Sequence, residues 1–207
     1  MARTWKDVDP DQPRPSLQEL IDSWATVRWE PAPVSDPFVD AYLDQVRAAY
    51  VNGGCLFGRW RATHYADETA WFAARNRLEE YELLRLLFDS PAVRSDLSAL
   101  KIPRTLDRVP GGLTEQWAGP LCLDGLLAAV IVTGGAYRRF EGPAARAKAL
   151  AARAVQVLVQ DRYEDFRLDT TDRAWTPWFR DVAWDSTYVL TDRANAEITV
   201  LCITDTD

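Results

Sequence analysis

The sequence predicts an α+β fold, a bundle of about five helices packed on a small antiparallel sheet that includes a C-terminal β-hairpin. Three observations carry it. Several separate stretches repeat apolar residues at steps of three and four, the period of a helix with one buried side. Near the end the period changes to two: Trp184, Ser186, Tyr188 and Leu190 alternate with Asp185, Thr187 and Val189. A continuous run from Ile198 to Ile203, interrupted only by Cys202, then reads as a second strand, buried on both faces and so central.

The elements follow in chain order. Residues 1–15 carry Pro10, Pro13 and Pro15 among acids and read as an extended arm open to disorder; residues 16–207 read as a single α+β domain. Ser16 with Glu19 is a capping box for a helix to about Ala25, with Leu17, Leu20, Ile21 and Trp24 on one side. Glu30 to Pro37, with three prolines, is a linker or an edge segment. Asp36-Pro37 starts the next helix, striped by Phe38, Ala41, Tyr42, Val46, Ala49 and Tyr50 and stopped at Asn52-Gly53-Gly54. Residues 55–63 are a short strand or an irregular loop. The clearest period runs from Asp67, as cap, to Asp89, with Trp71, Ala74, Leu78, Tyr81, Leu84 and Phe88 in one stripe and Arg75–Glu79 and Glu82–Arg85 paired along the polar side. Ser90-Pro91 breaks it, a short helix reaches about Leu100, and 102–110 is loop.

A near-repeat follows. Residues 111–120 and 134–143 both read G-G-x4-aromatic-x-G-P, and each leads into a helix, about 121–133 and about 143–160, with proline at the start. The first of these helices is apolar on nearly all sides and reads as buried. Asp192 to Ala196 is of turn length and closes the hairpin.

Composition narrows the function classes. The 207 residues are 47% hydrophobic, enough for a core without metal or disulfide, and nine tryptophans are core or interface material. Basic residues are almost all arginine, lysine occurring only at Lys6, Lys101 and Lys148, a usage that resembles proteins of high-GC bacterial genomes. A net charge of −7 argues against nucleic acid and anionic membrane surfaces and suits a basic protein partner. Cys55, Cys122 and Cys202 are far apart, with no CxxC, which fits a reducing, cytoplasmic compartment. The first fourteen residues lack the apolar core of a signal peptide, and the longest apolar run is too short to span a bilayer.

The charge is concentrated. From Asp161 onward, nine Asp and two Glu face five Arg, a local charge of −6. Trp175, Trp178 and Phe179 stand in the same stretch, followed by Asp181 and Asp185, which the pattern places on one exposed rim. An aromatic wall beside carboxylates suits a basic partner through cation–π contact and charge pairing. The expectation is an acidic cytoplasmic protein-binding module, of inhibitor or immunity type, docking a basic partner through Trp175, Trp178, Phe179, Asp181 and Asp185. The alternative is a small enzyme with a carboxylate-centred, Mg²⁺-dependent site, or with His64 as general base; the weak catalytic candidates are His64, Asp181 and Asp185. Further carboxylates considered are Glu79, Glu80, Glu82, Asp205 and Asp207, the last two on one strand side. His64 is the only histidine, and no G-x-S-x-G, phosphate loop or EF-hand pattern occurs, so no cofactor and no metal site is expected. Arg138 and Arg139 after Gly134-Gly135 could hold an anion, though a helix stop explains the glycines more simply.

Overall fold

A computed structural model describes residues 4–6, 8–106 and 112–207. Among these, six strands form one antiparallel sheet: β1 (Arg28–Pro31), β2 (Gly54–His64), β3 (Thr114–Glu115), β4 (Phe166–Thr171), β5 (Ser186–Asp192) and β6 (Glu197–Thr204). Their order is β1-β2-β6-β5-β4-β3. The C-terminal pair β5 and β6 is in register from Ser186↔Ile203 to Asp192↔Glu197. The stretch left open between strand and loop is β2, which spans Cys55 to Thr63 and pairs with β6.

The sheet is not a small platform under one bundle. It is covered on both faces, because successive side chains of its central strands point to opposite sides and both sets are apolar. Ile198, Val200 and Cys202 of β6 enter one core with Trp60, Ala62 and Val189. Leu201 and Ile203 enter the other with Leu168 and Leu190. Every residue of β6 is buried. The inner face carries α2 (Pro37–Ala49), α7 (Leu123–Thr133) and α8 (Ala144–Val159). The outer face carries α1 (Leu17–Trp24), α3 (Asp67–Ala74), α4 (Leu78–Tyr81), α5 (Leu83–Asp89) and α6 (Pro91–Asp96). Between the sheet and the inner helices lies a small apolar void of about 30 Å³.

Local signals explain the starts of α1 and α2. Ser16 and Glu19 form the reciprocal capping box of α1. Asp36 caps α2 by accepting from the Phe38 N–H at 2.8 Å, with Pro37 at the first helical position. Asp36→Ala should lower stability by about 1 kcal/mol, and Asp36→Asn should largely restore it, read from urea midpoints. In α2 the buried stripe is Val39, Tyr42, Leu43, Val46 and Ala49, while Phe38 is 43% exposed.

The long helix expected over Asp67 to Asp89 is three short ones. Asn76 (φ 53°) and Glu82 (φ 58°) are left-handed and break it, and Ala66 rather than Asp67 occupies the cap. The stripe still points inward, with Trp71, Leu78, Tyr81, Leu84 and Phe88 all buried, so the period survives while the axis turns. Glu82 pairs with Arg85 as expected. Arg75 and Glu79 do not pair, because the break separates them. Arg75 stacks on Trp71 at 4.3 Å and donates to the carbonyls of Asp9 and Pro10, while Glu79 turns to Arg167.

Among its described residues the N-terminal arm has no helix or strand but is anchored: Trp5 is fully buried, and the Gln12 carbonyl accepts from Trp71 Nε1 at 2.9 Å. The near-repeat is built differently in its two copies. The first, which starts at Gly111 outside the described residues, holds β3 and a 3-10 turn at Gly119–Cys122; the second is a turn. The predicted loop over 102–110 likewise lies outside the described residues from 107 onward.

Candidate functional site

The acidic C-terminal segment folds inward more than outward. Six of its eleven carboxylates are buried: Asp165, Asp169, Asp185, Asp192, Glu197 and Asp205. Buried carboxylates need donors, and each has them. Asp185, expected on an exposed rim with Asp181, is 2% exposed. It accepts from the backbone N–H groups of Arg180 (3.2 Å) and Val182 (3.1 Å) and from the Thr204 hydroxyl, tying the loop before β5 to the end of β6. Asp181 alone of the two faces water, with a left-handed φ of 58°. Asp205 and Asp207 do not share a side: Asp205 is fully buried beyond β6 and Asp207 is exposed.

The aromatic residues beside them line the outer core. Trp175 donates through Nε1 to Thr187 Oγ1 (2.9 Å) and packs on Phe88, ring centres 4.8 Å apart. Phe179 is buried against Trp175 and meets the edge of Trp178. Trp175 and Trp178 are both half-buried, and Asp181 is the exposed residue of this predicted site. Exposed charge on the loop is balanced, Asp172 and Asp181 against Arg173 and Arg180.

His64 ends β2 on the surface, and its ring lies 3.4 Å from Thr63 Oγ1. Among the described residues no group of three or more His, Cys, Asp and Glu is arranged to hold a metal. All three cysteines are free; burial pushes the Cys202 thiol up to about 12 and raises that of Cys55. No helix among the described residues is long and apolar enough to cross a membrane.

A charged cluster that the sequence did not single out sits where the sheet ends at β3. Arg167, on the outer face of β4, is 4% exposed. It grips Asp169 side-on, Nε to Oδ2 at 2.8 Å and Nη2 to Oδ1 at 2.7 Å, and Nη2 also reaches Glu79 Oε1 at 2.6 Å. Glu115 of β3, opposite Asp169 in the ladder, lies 3.3 Å from Arg167 Nη1. That approach is an ion pair without hydrogen-bond alignment, so Nη1 remains buried and unbonded. Asn76 joins in, donating to Glu115 Oε1 at 2.9 Å. Three carboxylates therefore surround one guanidinium, leaving two negative charges in excess. Burial works to lower the Arg167 pKa, and the bonds to Asp169 and Glu79 outweigh it. The bond from Arg167 holds Glu79 below the usual carboxylate range, whereas burial raises Asp169 against the pull of the same arginine.

Glu79 and Glu115 carry this charge to the surface, with side chains 57% and 40% exposed. The ladder continues past β3, since the Gln116 N–H donates to the Leu168 carbonyl at 2.9 Å. Trp117 then stands in the turn closed by the Gly119 N–H on the Gln116 carbonyl at 2.8 Å, two residues past Glu115. Trp117 is fully exposed, and Leu121 in the next turn is 71% exposed.

Compared with known protein families, with curated proteins and with solved structures, the chain matches none.

Proposed function

We propose that the protein is a binding module that docks a basic protein partner, in the manner of an inhibitor or immunity-type protein, and that it does so along the β3 edge. The observation that carries this is the fully exposed Trp117 in the turn that directly follows Glu115, which belongs to the net-negative cluster around Arg167. A large aromatic in water forgoes roughly 2–3 kcal/mol of burial, and tryptophan is the residue most enriched where binding energy concentrates. β3 ends the sheet, so an extended partner segment could add to its outer edge by main-chain hydrogen bonds. Arginine or lysine on that segment would meet Glu115 and Glu79 and stack on Trp117. The docking face thus moves from the C-terminal loop, where Trp175, Phe179 and Asp185 are core and scaffold, to an edge two strands away. Trp178 and Asp181 remain candidates for its periphery. A reducing, cytoplasmic setting belongs to the same proposal and is supported by the three free cysteines.

The test is affinity purification from the source cell with an N-terminally tagged chain at low salt, comparing wild type with Trp117→Ala and Glu115→Gln. A basic protein should co-purify with wild type in a fixed ratio and leave as salt rises. Trp117→Ala should weaken that association by about 2 kcal/mol or more, roughly thirtyfold, with thermal unfolding unchanged. Equal recovery of the partner by wild type and Trp117→Ala would remove the β3 edge as the docking site.

A further inference from the structure

At the opposite side of the sheet from β3, the inner helices stop short. Past the end of α8 at Val159, Leu158 and Gln160 stand beside Arg59 and Arg61 of β2 around open space on the inner sheet face. An open groove of about 560 Å³ occupies that place, a size that suits a small metabolite. Arg59 and Arg61, two apart on β2, share its floor, and Arg162, just past α8, closes one side. The other wall is the chain that leaves β1, held down by the Ala32 N–H donating to the Arg59 carbonyl at 2.8 Å.

The charges on this floor do not cancel. Asp192 accepts from both Nη atoms of Arg162, at 3.1 and 2.6 Å. Glu197, with an 8% exposed side chain, is engaged by Arg61 through Nε at 2.9 Å and through Nη2. Arg59 is left with a neutral partner, Thr199 Oγ1 at 2.9 Å from its Nε, and a looser approach of Nη1 to Glu197 at 3.5 Å. Asp165 adds nothing to the balance, since Lys6 takes it up together with Arg162. Three guanidinium groups and Lys6 thus face three buried carboxylates, Asp165, Asp192 and Glu197, one positive charge in excess before the exposed Glu30 on the far wall is counted. The least compensated of them, Arg59, has a side chain only 15% exposed, and burial lowers its pKa, Glu197 and Asp192 opposing this while Arg162 and Arg61 add to it. Arginine is the side chain suited to planar, two-pronged binding of oxyanions, and a cation this poorly solvated gains most from one.

We propose that this groove binds the oxyanion of a small molecule, a phosphate or a carboxylate, on Arg59, Arg61 and Arg162. Glu30 on the far wall, which accepts from the Thr63 hydroxyl at 3.3 Å, adds a preference for ligands that also carry a hydroxyl or amine donor. The site is separate from the β3 edge and stands without the docking function.

Isothermal titration calorimetry with inorganic phosphate, and separately with succinate, tests it at an ionic strength held constant with chloride. Saturable 1:1 binding of either anion is the expected result, and which one binds identifies the oxyanion. Arg61→Gln, a residue with a half-exposed side chain, should weaken it about tenfold. Gln160→Glu, which puts a carboxylate at the exposed rim without touching the ion pairs, should weaken it as well and decides the matter if Arg61→Gln fails to fold. No heat beyond the chloride control for both anions, or unchanged affinity in the variants, would overturn the proposal.

Discussion

Replacing Arg167 by alanine should cost about 3–5 kcal/mol of stability, because it strands the buried Asp169 without a counter-charge. Much of that loss is the penalty of the orphaned carboxylate and not the worth of the pair itself. The double variant Arg167→Met/Asp169→Leu should therefore recover most of it, since apolar side chains of similar size need no partner. The two carboxylates respond to pH with opposite sign. Glu79 has a lowered pKa in the fold, so its contribution is present above its unfolded value of 4.5 and is lost as pH falls through the lowered value. Asp169 has a raised pKa, so its protonated form favours the fold, and that advantage is lost as pH rises from 3.8 through the raised value. Without Arg167 the pull that lowers Asp169 is gone and its pKa should rise further. Acid should then relieve the variant more than wild type, in which the loss of Glu79 opposes the gain at Asp169, so the gap between them narrows below pH 4.5. Urea midpoints at neutral and acid pH read this directly, and a constant gap would show that the cluster is not ionised as described.

The second large effect belongs to Asp205. Its Oδ1 accepts from the Asn52 N–H and its Oδ2 from the Ala136 N–H, both at 2.8 Å, with the side chain wholly buried. One carboxylate thus joins the turn after α2, the turn after α7 and the segment after β6. Asp205→Ala leaves two backbone donors unpaired, at roughly 1–3 kcal/mol each. Asp205→Asn keeps one acceptor oxygen and should fall between. Amide exchange at Asn52 and Ala136 should speed up in both variants; protection unchanged at both sites would mean that other groups hold these turns. Gly135 shows how close the clasp is: a Cβ there would stand 2.0 Å from Asp205 Oδ2 and 2.7 Å from the Ala49 carbonyl. The second glycine of the Gly134-Gly135 pair is therefore required by approach, and Gly135→Ala should open the same clasp.

What could be read in advance was whatever depends on near neighbours. The alternation through Tyr188 and Leu190 and the run from Ile198 to Ile203 mark strands, and Ser16, Asp36 and Pro37 mark helix starts, because capping and period are local. The break at Asn76 was not legible, since the apolar period passes through it intact and only the pull of Glu79 toward Arg167 distinguishes a bent path from a straight one. Acid placement was least legible. Asp185 and Asp205 look like surface charge in sequence, and their true role rests on donors at Arg180, Asn52 and Ala136, two of which lie far along the chain. The same holds for the candidate docking edge: Glu115 and Trp117 are ordinary in sequence and gain meaning only beside Arg167 and Asp169.

β6 follows every other strand in the chain yet lies in the middle of the sheet, between β2 and β5. During synthesis β1 and β2 leave the ribosome roughly 130 residues ahead of the partner that must complete their ladder. At about 5–20 residues per second, that is on the order of ten seconds with the long edge of β2 open. Over that interval the nascent chain exposes an unpaired strand edge of the kind chaperones bind, and a stop before Glu197 would leave β2 and β5 without the strand that joins them.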